Sequence, residues 1–219
     1  MRRHLPVLAV ILLAVAHGAT MAGAPKKLLP VDEAASDPAF FIFRARLIEA
    51  VATHDTARLL AVLSPKIQNN FGGDGGIEEF KQQWQPDGKE SKLWQELGRA
   101  LSLGGKFSKD HSFAAPYYFA AWPEDDSVDA FEWVAIIGEN IRVREKADAN
   151  SAVIGRLSFE LVHVEEQQDA ASDEWTKIKL ADGRKGFVAS RFTGSGIGWR
   201  AAFAKENGEW RMTAFVAGD

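Results

Sequence analysis

Short apolar runs separated by turn residues fill the segment 133–192, and they restrict the fold more than any other feature of the chain. In two of these runs, apolar side chains alternate with Arg142, Arg144 and Arg156. Such alternation is typical of strands that bury only one face. Asp182-Gly183 lies between two later runs, and this pair favours a tight hairpin turn. The segment therefore predicts short strands in a small closed or nearly closed barrel, which removes open sheet edges.

Several stretches of this segment resemble the bacterial Src-homology-three (SH3-like) domain in their order and spacing. They are Asn-Ile-Arg-Val-Arg at 140–144, Ser-Ala-Val-Ile-Gly-Arg-Leu at 151–157, Trp-Thr-Lys-Ile at 175–178, Asp-Gly-Arg-Lys-Gly-Phe-Val at 182–188, and Phe192. The family has a proline where Ala147 stands, and it has a glycine in the turn near Phe159. The resemblance implies a five-stranded barrel over residues 133–193. Family members occur in exported bacterial proteins, so it also implies a module that binds cell-wall material or protein partners.

The first 24 residues have the order of a secretory signal peptide. Arg2 and Arg3 precede the apolar run 5–16, and small residues fill 14–24. The apolar run is shorter than the roughly 20 residues that a membrane-spanning helix needs. We expect cleavage after Ala22, with Ala24 as the alternative, and a buried first helix is the other interpretation of this run. Signal removal leaves no segment that we expect to insert stably in a membrane.

The residue content agrees with an exported protein that has no covalent cross-links. The chain has no cysteine, so neither a disulfide nor a lipid anchor on cysteine is possible. Its formal net charge of -4 argues against a nucleic-acid partner. We therefore expect a periplasmic or secreted protein.

The region before the barrel is expected to be helical and then extended. After a polar linker at 25–36, Asp37-Pro38 predicts a helix start, and Phe40, Phe43, Leu47 and Val51 lie on one face of that helix. Three further helices are expected: from Asp55 to Leu63 where Ser64-Pro65 stops it, around Ile77, Phe80 and Trp84, and from Ser91 to Gly104. The aromatic stretch that follows, to residue 132, is expected to be extended. Tyr117, Tyr118, Phe119 and Trp122 in it line either a ligand groove or, as we favour, a core between the two halves.

The chain closes with a second predicted hairpin at 197–217, across the turn Asn207-Gly208. Its strands weakly resemble the closing strands of nuclear-transport-factor-two-like proteins. Because Phe192 completes the barrel, we expect the hairpin to pack on the N-terminal region, with the glycines at 194–198 as a flexible joint. The predicted fold class is α+β, with a helical N-terminal region, a small five-stranded SH3-like barrel and a closing hairpin.

The sequence contains no nucleophile-base pair or metal-ligand spacing that we recognise, so we expect no catalytic residue, metal or cofactor. His54-Asp55 and Asp110-His111 are the strongest alternatives, and helix capping or a surface role explains both more simply. The ligand-binding candidates are Trp175, Asp173 and Glu174, where an aromatic follows a long polar loop. Trp175 equally suits the barrel wall.

The predicted function is non-catalytic binding of a cell-wall component or an envelope protein. The alternatives are a small enzyme or ligand-binding protein with its pocket in a nuclear-transport-factor-two-like domain, and a barrel that serves only as a structural appendage. An exposed groove at Trp175 favours binding, whereas a deep pocket with a histidine and a carboxylate favours chemistry.

Overall fold

The computed structural model describes residues 26–73, 75–165 and 174–218, and the predicted signal peptide lies outside them. The fold is mixed α+β, as expected, with two separate sheets. Neither sheet closes into a barrel among the described residues, so the SH3-like barrel stays a prediction. No described helix has both the length and the apolar character needed to cross a membrane.

Five helices and twelve strands make up the described chain. The helices are α1 (Pro38–Ala52), α2 (Thr56–Ala61), α3 (Ile77–Trp84), α4 (Leu93–Ser102) and α5 (Tyr117–Ala120), with 3-10 turns at Ala34–Ser36 and Ser190–Phe192. The strands are β1 (Leu63–Gln68), β2 (Lys106–Phe107), β3 (Phe113–Ala115), β4 (Trp133–Ile136), β5 (Ile141–Arg144), β6 (Val153–Leu157), β7 (Leu161–Val164), β8 (Trp175–Lys179), β9 (Lys185–Ala189), β10 (Thr193–Ser195), β11 (Arg200–Glu206) and β12 (Glu209–Val216).

Helix α1 begins where the sequence predicts. The Asp37 carboxylate accepts hydrogen bonds from the backbone N–H groups of Ala39 and Phe40 at 2.9 and 3.0 Å, which satisfies donors that have no partner inside the helix. The expected apolar face packs inward on the first sheet's core. The buried Arg44 of the same helix forms an ion pair of 2.6 Å with Asp32, so the segment expected as a linker is fastened to α1.

The first sheet has the strand order β1-β12-β11-β3-β2, and the helices α1 to α4 contribute to its core. The hairpin β11-β12 supplies Phe203, Trp210 and Phe215 to this core, next to Phe40. None of these hairpin side chains belongs to the core of the second sheet. Contacts of the closing hairpin are therefore with the N-terminal region.

Two expectations for this region are wrong. Helix α2 ends at Ala61, and Leu63 opens β1, in which Ser64-Pro65 are strand residues. Strand β1 pairs in parallel with β12, and Pro65 is tolerated because β1 is an edge strand. The stretch after residue 112 is not wholly extended either, since α5 forms directly after Pro116.

The second sheet has the order β10-β4-β7-β8-β9-β5-β6. Val143, Ile178 and Val188 are fully buried in its core, and the alternation in β5 leaves Arg142 exposed. The predicted turn at Asp182-Gly183 joins β8 to β9, and Gly183 has a positive φ of 86°. The strands expected from the sequence between 141 and 188 are thus present.

A third core joins the two sheets. It contains Leu28, Tyr117, Tyr118 and Leu161 among others, so the aromatic stretch fills the space between the halves, as we favoured. The expected flexible joint is wrong, because residues 193–195 form β10 and pair with β4. Gly194 lies so close to the ring of Tyr118 that an added Cβ would be 2.6 Å from it. Glycine is needed here for close packing and not for flexibility.

Candidate functional site

Trp175 opens β8 and borders a groove of about 320 Å³. The indole is half-buried, and its backbone pairs with Ala189 of β9. The other side chains that line the groove come from three chain segments: Asn140, Ile141, Arg142, Arg144, Ala149, Ala189, Arg191 and Phe192. The lining therefore combines apolar side chains with guanidinium groups.

The strand β5 and the 3-10 turn at Ser190–Phe192 place the arginines of the groove. Arg142 and Arg144 are two residues apart on one strand, so both side chains leave the sheet on the face opposite the buried Val143. Arg144 donates a hydrogen bond of 2.6 Å to the Ser151 carbonyl oxygen. The guanidinium of Arg191 lies over the ring of Phe192, with 4.7 Å between its central carbon and the ring centroid.

The described residues that line the groove carry an excess of positive charge. Across the β5-β6 ladder Arg142 lies directly opposite Arg156, so two like charges face each other. Among the residues that the structure describes, none of the arginines 142, 144, 156 and 191 forms a salt bridge with a carboxylate. Four arginines elsewhere in the fold do form salt bridges, namely Arg44, Arg58, Arg184 and Arg211.

Of the two acidic residues predicted to bind a ligand, the structure describes only Glu174, and Asp173 lies outside the described residues. Glu174 is exposed, and its backbone carbonyl accepts a hydrogen bond of 2.8 Å from the Ser190 N–H. It precedes Trp175 but does not line the groove. The sequence predicts the tryptophan of the groove but not its arginines, although the alternation in 141–144 places two of them on one face of a strand.

His54 and Asp55 have structural roles between α1 and α2. The Asp55 carboxylate accepts a hydrogen bond of 3.0 Å from the Arg58 N–H and so caps α2. His54 has a positive φ of 52°, and its ring stacks on Trp94 with centroids 5.0 Å apart. Stacking and capping account for this pair.

His111 lies in a pocket of about 460 Å³ beside the first sheet, together with carboxylates of Asp37 and Asp110. Hydrogen bonds from Ser108 and then Ser112 lower the pKa of Asp110 to about 2. The backbone N–H of Phe40, and after it Lys205, lowers the pKa of Asp37. Both carboxylates are therefore ionised near neutral pH and are weak bases there, which does not favour acid–base catalysis.

Metal ligands do not converge in the described part of the chain: no group of three or more His, Asp or Glu side chains is arranged to hold an ion. No protein-family model and no curated protein sequence matches this chain. The functional argument therefore rests on the groove itself.

Proposed function

We propose that this protein is an exported, non-catalytic binding protein that holds a cell-wall component or an envelope protein in the groove at Trp175. The groove is the observation that carries the proposal. A half-buried tryptophan borders a concave surface that is lined by apolar side chains and by arginines, and binding sites commonly combine these two elements. We further propose that residues 133–193 form an SH3-like domain, which the strand pattern and the core around Val143 and Ile178 support.

The size of the groove favours cell-wall material over a globular protein partner. About 320 Å³ is near the small end of the range for small-molecule pockets, and it suits a sugar or a short peptide. A stable protein partner usually covers roughly 800 Å² of surface on each side. Cell-wall glycan with its peptide stems offers units of the smaller kind.

The alternative, a small enzyme or ligand-binding protein with a pocket in the N-terminal half, has its best support in the pocket at His111. That pocket combines a histidine with two carboxylates. The carboxylates are, however, already used to cap α1 and to hold the loop around Ser108 and Ser112. The groove at Trp175 combines an aromatic side chain with arginines that form no salt bridge among the described residues, so we favour binding there as the function.

Cosedimentation of the protein with purified cell-wall sacculi tests the proposal. We expect wild type to bind, and Trp175→Ala to lower the affinity by about thirtyfold, because a half-buried aromatic in a groove is the kind of residue that dominates binding. Trp133→Ala is the matched control. Trp133 is also half-buried in the second sheet, where it contacts His163, and it does not line the groove.

Circular dichroism and thermal melting show whether either variant is folded. Equal loss of binding in both tryptophan variants at equal melting temperature would assign the effect to the sheet as a whole and contradict a site at Trp175. Binding by an envelope protein in place of sacculi would select the other partner. Turnover of a substrate that His111→Ala abolishes would support the enzyme. A mass spectrum of the native protein that starts at Met1 would contradict export with cleavage.

A further inference from the structure

We propose that the groove at Trp175 recognises a carboxylate of the cell-wall glycan or of its peptide stem, through the guanidinium groups of Arg142 and Arg191. This inference rests on the proposed function and names the chemical class of the ligand. It also predicts the charge of the ligand: acidic residues such as Asp173 and Glu174 would suit a basic partner, whereas arginines line the described part of the groove.

Repulsion between two arginines of the second sheet favours an anionic ligand. Like charges directly opposite each other on neighbouring antiparallel strands destabilise a sheet, and Arg142 and Arg156 are such a pair. Arg156 is drawn away toward Asn140, whose side-chain oxygen accepts its hydrogen bond at 3.2 Å. Arg142 stays exposed at the groove. An anion bound at Arg142 offsets this repulsion. The pair Arg142 and Arg156 is therefore consistent with an anion-binding site.

The guanidinium groups of the groove differ in the contacts that they already make within the protein. Arg144 is half-buried and already bonded to the Ser151 carbonyl oxygen, so it serves mainly to shape the groove. The guanidinium carbon of Arg191 lies 4.7 Å from the centroid of the Phe192 ring, and such a cation–π contact does not use the N–H donors of the guanidinium. Arg142 and Arg191 therefore present donors in the fork geometry that matches a carboxylate.

A carboxylate fits better than a phosphate polymer for two reasons. The chain as a whole has a formal net charge of -4, and the exposed Glu174 directly precedes Trp175, so a ligand with closely repeated negative charges is repelled outside the groove. Most of the other lining residues are apolar, with Ile141, Trp175 and Phe192 the largest of them. They suit a ligand that is neutral except for an isolated anionic group.

The test measures binding of the full protein to three preparations of sacculi from a bacterium whose wall carries a phosphate polymer: untreated sacculi, sacculi with carboxyl groups converted to ethanolamides, and sacculi from which the phosphate polymer has been removed. We expect about tenfold weaker binding to the amidated preparation and unchanged binding after phosphate removal. Arg142→Glu and Arg191→Glu should each weaken binding to untreated sacculi about tenfold at low salt.

Arg46→Glu is the matched control, since Arg46 is an exposed arginine of α1 and its replacement changes the net charge equally. It should alter binding by less than about twofold. Arg191→Lys keeps the charge without the fork and should lose part of the affinity, while Arg142→Gln covers the case in which Arg142→Glu fails to fold. Glu174→Lys should strengthen binding, whereas weaker binding would indicate a basic partner.

The outcomes separate the two proposals. If wild type binds untreated and amidated sacculi equally, or if only phosphate removal abolishes binding, the carboxylate assignment is wrong. If Trp175→Ala loses binding while both arginine variants bind as wild type does, the inference fails and the proposed function stands. If wild type binds none of the preparations, the inference fails together with the cell-wall form of the proposed function, and only the envelope-protein partner is left.

Discussion

Tyr117 and Tyr118 are neighbours in the core between the sheets, but their hydroxyl groups meet different surroundings. Burial is the main reason that the pKa of the Tyr118 hydroxyl is raised, and the charge and hydrogen bonding of Arg99 oppose this rise. The Tyr117 hydroxyl is buried without a hydrogen-bond partner in the described structure. Burial raises the pKa of Tyr117 to about 12. The hydroxyl of Tyr117 is therefore a cost that the packing of its ring offsets.

Replacing Tyr117 by phenylalanine removes that hydroxyl and keeps the ring. We expect the free energy of unfolding to rise by about 1 kcal/mol, since a buried donor without a partner costs roughly 1–3 kcal/mol. Urea unfolding measures this change. Tyr118→Phe is the control, because it breaks a hydrogen bond and should destabilise the protein. A loss of stability in Tyr117→Phe as large as in Tyr118→Phe would mean that the Tyr117 hydroxyl has a partner.

The same substitution changes the alkaline pH dependence of stability. The folded state holds the proton of Tyr117 more tightly than the unfolded state, where the pKa is near 10.0. Its contribution favouring the folded state is complete below pH 10 and is lost as the pH rises toward about 12. Tyr117→Phe should therefore lose stability less steeply than wild type across this interval.

At the scale of elements, two glycines differ in what makes them necessary. Asn207 and Gly208 both have positive φ, of 52° and 85°, as a two-residue turn between β11 and β12 requires. A Cβ on Gly208 would meet nothing within 4 Å, so the strain there is in the backbone alone. At Gly194 the backbone is ordinary, and the obstacle is the ring of Tyr118.

Alanine at the two positions should therefore have unequal effects. Gly208→Ala should cost about 1 kcal/mol, which is the penalty of left-handed backbone for a residue with a Cβ. Gly194→Ala should cost more, up to about 3 kcal/mol, because Tyr118 is held in a packed core and cannot move freely. Urea unfolding of both variants compares them. If Gly194→Ala is the milder change, the segment 193–195 is looser than its pairing with β4 indicates.

The sequence predicts best the elements that local chemistry determines. Asp37-Pro38 and the apolar spacing are enough for α1, and Asp182-Gly183 is enough for the β8-β9 turn. Strand β1 was missed because its partner, β12, is distant in the chain and a proline lies within it. Strand β10 was missed because glycine usually weakens a strand, whereas here the close approach of Tyr118 requires it.

The candidate site is likewise predicted only where local sequence determines it. The aromatic after a polar loop was enough to select Trp175, but the groove is formed by residues from 140–149 and 189–192 as well. These segments meet only through the pairing of β5 and β8 with β9. The arginines of β5 lie on the same groove as Trp175 only because the fold brings these segments together.

In the whole molecule, the chain segment that forms the second sheet is connected to the first sheet at both of its ends. Strands β4 to β10 lie in sequence between β3 and β11, which pair with each other in the first sheet. Arg99 of α4 donates a hydrogen bond of 2.7 Å to the Thr193 carbonyl oxygen of β10. At the other end of the described chain, the Leu28 N–H bonds the Phe159 carbonyl oxygen at 2.8 Å.

These connections and the shared core predict that the two sheets unfold together. A core that both sheets need cannot remain packed when either sheet opens, so separation costs the burial of Tyr117, Tyr118 and Leu161. Native-state hydrogen exchange should therefore give the slowest amides of β12 and of β8 the same free energy of opening.

Tyr118→Ala should break this equality, because it leaves a cavity at the junction and removes the hydroxyl that interacts with Arg99. In that variant the β8 amides should exchange at a lower free energy than those of β12. Two distinct levels already in wild type would show that the sheets are independent units and that the contact between them is only a docking of one on the other.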